Sequence, residues 1–142
     1  MPSRYFAIDA SAGLIKRALG QAAVTATAYV GTQWDQKAAA ITDLIAVIQI
    51  ESINVAAGSI YTFRLVGSNV ADRSDAQVLA VGQVGLASVV TIETRNSAAG
   101  DQLVLRGLTE KNDTMFRYID LHVTIAGGSA TITFGAYLTK EF

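Results

Sequence analysis

The sequence predicts an all-β protein, an antiparallel β-sandwich that is jelly-roll-like, with about eight strands and an N-terminal arm. Runs rich in Val, Ile and Thr alternate apolar and polar side chains with period two, which is typical of strands that bury one face. Proline occurs once, at Pro2, so the turns between these runs are built from Gly, Asn, Asp and Ser. An immunoglobulin-like sandwich has the same alternation, so the strand order stays open at this point.

The strand pattern recurs along most of the chain. In one of the runs, Tyr61, Phe63 and Leu65 share the face that is predicted to be buried. Segment 31–37, which contains Trp34, is predicted to be a loop. The predicted strands are residues 22–30, 44–53, 60–66, 77–81, 89–95, 102–106, 115–125 and 130–139.

The N-terminal region has a different pattern from the rest. Residues 1–20 are predicted to form a partly extended arm, and residues 21–142 the sandwich domain. Segment 11–19 has apolar residues at near-helical spacing but no convincing cap, so at most one short helix is expected. A chain of 142 residues has the usual size of one domain.

Composition limits the classes of function. Hydrophobic residues make up 51% of the chain and charged residues only 16%, below the usual quarter. A surface with so few charges is either exposed to solvent without taking part in contacts or covered by neighbouring subunits. With 11 basic and 12 acidic residues there is no basic stripe for nucleic acid. No uncharged run is long enough for a membrane helix and no signal peptide is seen, so folding in the cytoplasm is expected.

The sequence contains no recognisable catalytic or metal constellation. Its one histidine, His122, falls in mid-strand with Asp120 two residues away, and there is no nucleophile motif or phosphate-binding loop. Cysteine is absent, and the acidic loops 72–75 and 110–113 do not fit a calcium loop, although weak Ca²⁺ binding is conceivable. No enzymatic activity, cofactor or small-molecule substrate is therefore expected.

Two features suggest contacts with a partner. In the last part of the chain, Ile119 and Ile132 belong to a buried face, and a hairpin around 126–129 would place the other face against another subunit or a second sheet. Trp34 with Tyr29 could instead form an exposed platform for a sugar ring, although a single Trp more often fills a sandwich edge or subunit contact. The candidate interface residues are Arg4, Tyr5, Phe6, Leu14, Trp34, Tyr118, His122, Thr131, Thr133 and Tyr137.

Segments 23–30, 61–82 and 116–138 together resemble the capsid cement, or decoration, proteins of tailed bacteriophages. The shared features are short Val/Thr/Ala strands, compact polar loops and a long closing pair of strands. The resemblance implies a jelly-roll subunit that forms a homotrimer on the outer surface of the virion head and bridges neighbouring major capsid proteins. It implies no cofactor. A carbohydrate-binding sandwich of a phage head or tail fibre is the alternative.

Overall fold

The computed structural model describes residues 6–7, 14–55, 58–85 and 97–141, and these form two antiparallel sheets without an α-helix. None of the described residues forms a helix that could cross a bilayer. The strands of this part of the chain are β1 (Phe6–Ala7), β2 (Ile15–Arg17), β3 (Ala28–Ala40), β4 (Asp43–Ile53), β5 (Ile60–Ser68), β6 (Gln77–Gly85), β7 (Gln102–Leu108), β8 (Glu110–Lys111), β9 (Thr114–Ala126) and β10 (Ile132–Glu141).

The strand order is that of a jelly roll. Sheet A has the order β2–β10–β4–β7, with β1 also paired to β10, and sheet B has the order β3–β9–β5–β6, with β8 paired to β9. The chain passes from one sheet to the other after β2, β3, β4, β6, β7 and β9, as the double Greek key of a jelly roll requires. The predicted all-β, jelly-roll-like sandwich is therefore confirmed.

The core lies between the two inner faces. Phe63 of sheet B meets Phe134 of sheet A edge to face, with ring centroids 5.1 Å apart. The face predicted from Tyr61, Phe63 and Leu65 is fully buried, and the inward residues of the last two strands are buried except for Ile125, which is partly buried. The largest fully buried side chains are Tyr61, Phe63, Phe116, Phe134, Leu14, Leu44, Ile48, Ile50, Leu65, Ile119, Leu121 and Ile132.

Strand β3 differs from its prediction. Residues 22–30 were predicted as the strand and 31–37 as a loop, but the strand is Ala28–Ala40 and Trp34 lies in its middle. Its pairing with β9 shifts register twice, between Val30 and Trp34 and between Asp35 and Ala40. Bulges of this kind reset the period-two alternation, so the sequence pattern looks like a loop. The predicted strand 89–95 lies outside the described residues.

The closing hairpin around 126–129 was also predicted wrongly. Strand β9 pairs with β3 and β5 in sheet B, whereas β10 pairs with β4 and the N-terminal strands in sheet A. The turn between them carries the chain from one sheet to the other, and Gly127 has a φ of +106° there. As a result, the outward side chains of β9 and of β10 lie on opposite faces of the sandwich.

The two described strands of the N-terminal segment, β1 and β2, both pair with β10. Phe6 pairs with Glu141, and Ile15 pairs with Tyr137. Segment 11–19 was noted for its helical spacing, but its residues Ile15–Arg17 form a short strand. Residues 1–5 and 8–13 lie outside the described residues. Leu14 and Lys16 are buried at 1% and 4% exposure, so this part of the predicted arm contributes to the packing of the sandwich.

Candidate interaction surfaces

The outer face of sheet A carries a row of apolar side chains. The strand register aligns Ile15, Tyr137, Val47 and Val104 across β2, β10, β4 and β7. We call these four residues the apolar row. Val47 is 8% exposed, whereas Ile15 and Val104 are 43% and 52% exposed. Because aligned side chains of neighbouring strands lie about 5 Å apart, the row is continuous across the sheet.

Further apolar groups and two hollows surround the apolar row. Leu19 and Leu108 are 57% and 48% exposed, and Ile45, whose register partners are Thr139 and Arg106, is buried on the same face. A Cβ at Gly135 would lie 2.6 Å from Leu19 Cδ2, so the glycine lets the leucine lie flat on the strand. Hollows of about 180 and 300 Å³ flank Tyr137 on its β2 side and its β7 side. The face therefore has both apolar projections and apolar recesses.

The outer face of sheet B carries a different row. The register aligns Tyr29, His122, Arg64 and Val81 across β3, β9, β5 and β6, and we call these residues the cationic row. The rings of Tyr29 and His122 meet edge to face at 4.8 Å. Arg64 Nη1 donates a 2.6 Å hydrogen bond to Thr124 Oγ1 on the neighbouring strand. The row therefore has an ordered geometry and one guanidinium at its centre.

A buried carboxylate organises one end of this face. Asp120 is 1% exposed and accepts hydrogen bonds from Gln33 Nε2 at 2.9 Å and from Arg73 Nε and Nη2 at 2.9 and 3.0 Å. The same hydrogen bonds raise the pKa of Arg73. The Arg73 guanidinium also lies 4.2 Å from the centre of the Tyr29 ring, a cation–π distance. These contacts hold the loop between β5 and β6 on the sheet.

Lys16 reaches from sheet A to sheet B behind this network. Its ammonium donates to the main-chain oxygens of Thr32 and Ile119 at 2.7 and 3.3 Å. Burial lowers the pKa of Lys16 to about 8, while the nearby Asp120 carboxylate raises it and the Arg73 guanidinium lowers it further. The side chain thereby fastens the N-terminal segment to the edge of sheet B.

The surroundings of His122 determine which chemistry this side chain could support. The carboxylate of Asp120, its neighbour on the face, is engaged by Arg73 and Gln33. Burial, together with the Arg64 charge, lowers the pKa of His122, so the imidazole is neutral near pH 7. Among the described residues, no group of three His, Cys, Asp or Glu side chains could hold a metal ion. The loop carboxylates of Asp72 and Asp75 accept hydrogen bonds from main-chain amides of their own loop.

The predicted interface residues fall into several places. Leu14 and Trp34 are core residues, at 1% and 7% exposure, so their assignment to a surface contact is corrected by their packing. An exposed Trp34 platform for sugars is wrong for the same reason, although carbohydrate binding itself stays a prediction. Phe6 lies in β1, and residues 4 and 5 are outside the described part of the chain.

The remaining candidates are divided between the two faces. Tyr118 and His122 are half-buried on the outer face of sheet B, and Thr133 and Tyr137 are half-buried on the outer face of sheet A. Thr131, also half-buried, precedes β10, and its main-chain oxygen accepts a 2.7 Å hydrogen bond from Tyr61 Oη. The structure therefore does not bring the predicted set together on one surface.

Sequence reasoning missed residues on both faces. The run 44–48, Leu-Ile-Ala-Val-Ile, is apolar without interruption, and such a run signals a strand that is covered on both sides. That signal would have identified the outward residues Ile45 and Val47. The pairing of Arg73 with Asp120, which are 47 residues apart, carries no comparable signal in the sequence.

Fold and surfaces together define an all-β jelly-roll domain with one apolar and one polar outer face. No protein-family model matches the chain, and no curated protein matches it.

Proposed function

We propose that this protein is a structural subunit of a virion, a capsid decoration protein that forms a homotrimer on the outer surface of a phage head and bridges neighbouring major capsid proteins. The observation that carries the proposal is the apolar row on the outer face of sheet A. A resemblance in sequence style to phage cement proteins points in the same direction.

The apolar row suits a contact between subunits. Burying apolar surface contributes about 25 cal/mol per Å² before the costs of association. Ile15, Leu19, Val104 and Leu108 expose large apolar side chains on this face, each between 43% and 57% exposed. Only Arg17 and Arg106 carry a charge among the described residues that line the two hollows, so a covering neighbour has few charges to desolvate.

The two halves of the face fit a closed three-fold ring. In a cyclic trimer, one patch of each subunit meets a different patch of the next. Here the β7 half offers Val104, Leu108 and the larger hollow, and the β2 half offers Ile15, Leu19 and the smaller one. We place the β7 half of one copy against the β2 half of its neighbour.

The size of the face favours assembly on a particle. Four strands of about seven residues cover roughly 450 Å², given spacings of about 4.8 Å between strands and 3.4 Å between residues. A stable interface usually needs about 800 Å² from each partner. The free trimer is therefore expected to depend on concentration, and simultaneous attachment to several capsid subunits would hold it in place.

A matched pair of variants tests the role of the apolar row. Val104 and Val81 are strand valines with similar exposure, 52% and 58%, on the outer faces of sheets A and B. We expect wild type and Val81→Asp to show a mass near three times the 15.0 kDa of one chain by light scattering at high concentration. Val104→Asp is expected to be a monomer, because a buried carboxylate without a partner is costly.

The same variants test attachment. Co-sedimentation with heads of the phage that encodes the chain is expected for wild type and to be strongly reduced for Val104→Asp. Wild-type protein that is monomeric at every concentration and stays in the supernatant with these heads would refute the proposed function. Binding of glycans by such a monomer would instead favour the carbohydrate-binding alternative.

A further inference from the structure

We propose that Arg64 is the anchor of a binding site, on the outer face of sheet B, for a carboxylate side chain of a partner protein. The site is the cationic row, Tyr29, His122, Arg64 and Val81, with Arg73 at its end. It lies on the opposite face from the apolar row, so it can fail without affecting the proposed trimer, and the reverse also holds.

The guanidinium of Arg64 has unused hydrogen-bonding capacity. Arginine has five N–H donors in a planar fork, which matches the two oxygens of a carboxylate. Among the described residues, Arg64 donates to Thr124 Oγ1 alone and forms no ion pair with a carboxylate. The bond to Thr124 restricts the side chain, so less conformational entropy is lost when a ligand binds.

In the described part of the chain, two other arginines of this region, unlike Arg64, form ion pairs that neutralise their charge. Arg73 forms its ion pair with Asp120 at 2.9 Å, and Arg117 forms one with Asp35 at 2.7 Å. Arg64 thus differs from them in having a half-buried charge without an acidic partner in the described structure. An anion supplied from outside would complete the same pairing that the protein builds internally at these two positions.

The neighbours of Arg64 form the walls of the site. On one side lies His122, which offers hydrogen bonds without adding charge while it is neutral. Beyond it the Tyr29 ring, 39% exposed, is held between the His122 ring and the Arg73 guanidinium. On the other side, Val81 is 58% exposed. Tyr and Arg beside exposed apolar side chains are the composition found at the centres of protein interfaces.

The chemistry of the site favours a protein carboxylate over a nucleic-acid phosphate. Nucleic-acid binding depends on several basic residues that neutralise successive phosphates, and the whole chain has a net charge of about −1. One unpaired guanidinium with Val81 next to it instead matches an acidic residue that is flanked by apolar residues.

The test is a titration of the full chain, followed by NMR signals of the Arg64 Nε–H and the His122 ring. The probes are blocked hexaglutamate, blocked hexaglutamine and hexathymidylate, all at low ionic strength. We expect hexaglutamate to shift both signals with saturation, and hexaglutamine to leave them unchanged. Arg64→Gln should weaken hexaglutamate binding about tenfold or more, because a hydrogen-bonded charge pair is lost.

Two further variants serve as controls. Arg106→Gln removes an exposed arginine from the outer face of sheet A and should leave the affinity for hexaglutamate within about twofold of wild type. Arg64→Lys keeps the charge but loses the planar fork, so its affinity should fall between those of wild type and Arg64→Gln. Thermal unfolding of each variant, and light scattering of the two Arg64 variants, are expected to match wild type.

Three results would overturn this assignment. Equal shifts with hexaglutamine would remove the role of charge, and equal weakening by Arg106→Gln would reduce binding to the general charge of the protein. Tighter binding of hexathymidylate with the same dependence on Arg64 would identify a phosphate site in place of a carboxylate site.

Discussion

The two outer faces of the sandwich cover the same core, but one carries mainly apolar side chains and the other carries hydrogen-bonded polar ones. On sheet A, the outward residues Ile45, Val47 and Val104 form an apolar middle of the face, with two hollows beside it. On sheet B, the outward positions of β9 include Asp120 and His122, and a network of hydrogen bonds covers part of the face. An apolar face is stabilised by any well-packed neighbour, whereas a polar face accepts only a partner with complementary groups. The difference therefore suits two kinds of contact.

The largest expected effect concerns the buried carboxylate of sheet B. Asp120→Asn should reduce the free energy of unfolding by about 3 kcal/mol, because removing one partner of a buried ion pair leaves the other uncompensated. Asp35→Asn is the matched control, since Asp35 also accepts two hydrogen bonds from one arginine but is 27% exposed. Urea denaturation measures both. Equal losses for the two variants would mean that the network does not depend on burial.

A smaller effect, in the dependence of stability on pH, is expected from Lys16. Its folded pKa of about 8 is below the ordinary 10.5, so between these values the unfolded chain binds more protons and the free energy of unfolding rises with pH. From pH 7 to 9.5 the rise should be about 2 kcal/mol from this group. Measurements should stop there, because burial raises the pKa of Tyr61 and its contribution has the opposite sign at higher pH.

Lys16→Met supplies the control for that measurement. The variant keeps the length of the side chain without the amine, and its free energy of unfolding should lack the rise between pH 7 and 9.5. If wild type and variant change in parallel, the ammonium of Lys16 is not held in the buried position that connects the two sheets.

The smallest expected effect is on the titration of His122. Burial and the charge of Arg64 lower the pKa of His122, so Arg64→Gln should move this pKa upward, towards the ordinary value of 6.5. Imidazole proton shifts measured by NMR report the change directly. An unchanged pKa would place the guanidinium of Arg64 too far from the ring for the cationic row as described.

Much of the fold could be predicted from alternation alone, because a strand with one buried face repeats its pattern regardless of its pairing partner. Strands β4, β5 and β7 were found in this way, close to their observed bounds. Alternation does not tell which strands pair, so β9 and β10 were taken for a hairpin although they lie in different sheets. Strand β3 was misplaced because its two register shifts interrupt the period.

The candidate surfaces were less predictable than the fold. The residues Tyr118, His122 and Tyr137 were identified as outward-facing, but their division between two faces follows from the sheet order and not from local sequence. Arg64 was not among the predicted interface residues, since its lack of an acidic partner depends on the positions of distant strands. Long-range pairs of this kind become visible only when the strand register is known.

The position of β10 has a consequence for how the molecule is made. This strand follows the other described strands in the chain, yet in sheet A it lies between β4 and the N-terminal strands β1 and β2. While the ribosome is still translating residues 132–141, β4 and the N-terminal strands lack the strand that joins them. Nascent chains are therefore expected to remain open along this line until β10 has emerged, and folding should be slow because its contacts link distant parts of the chain.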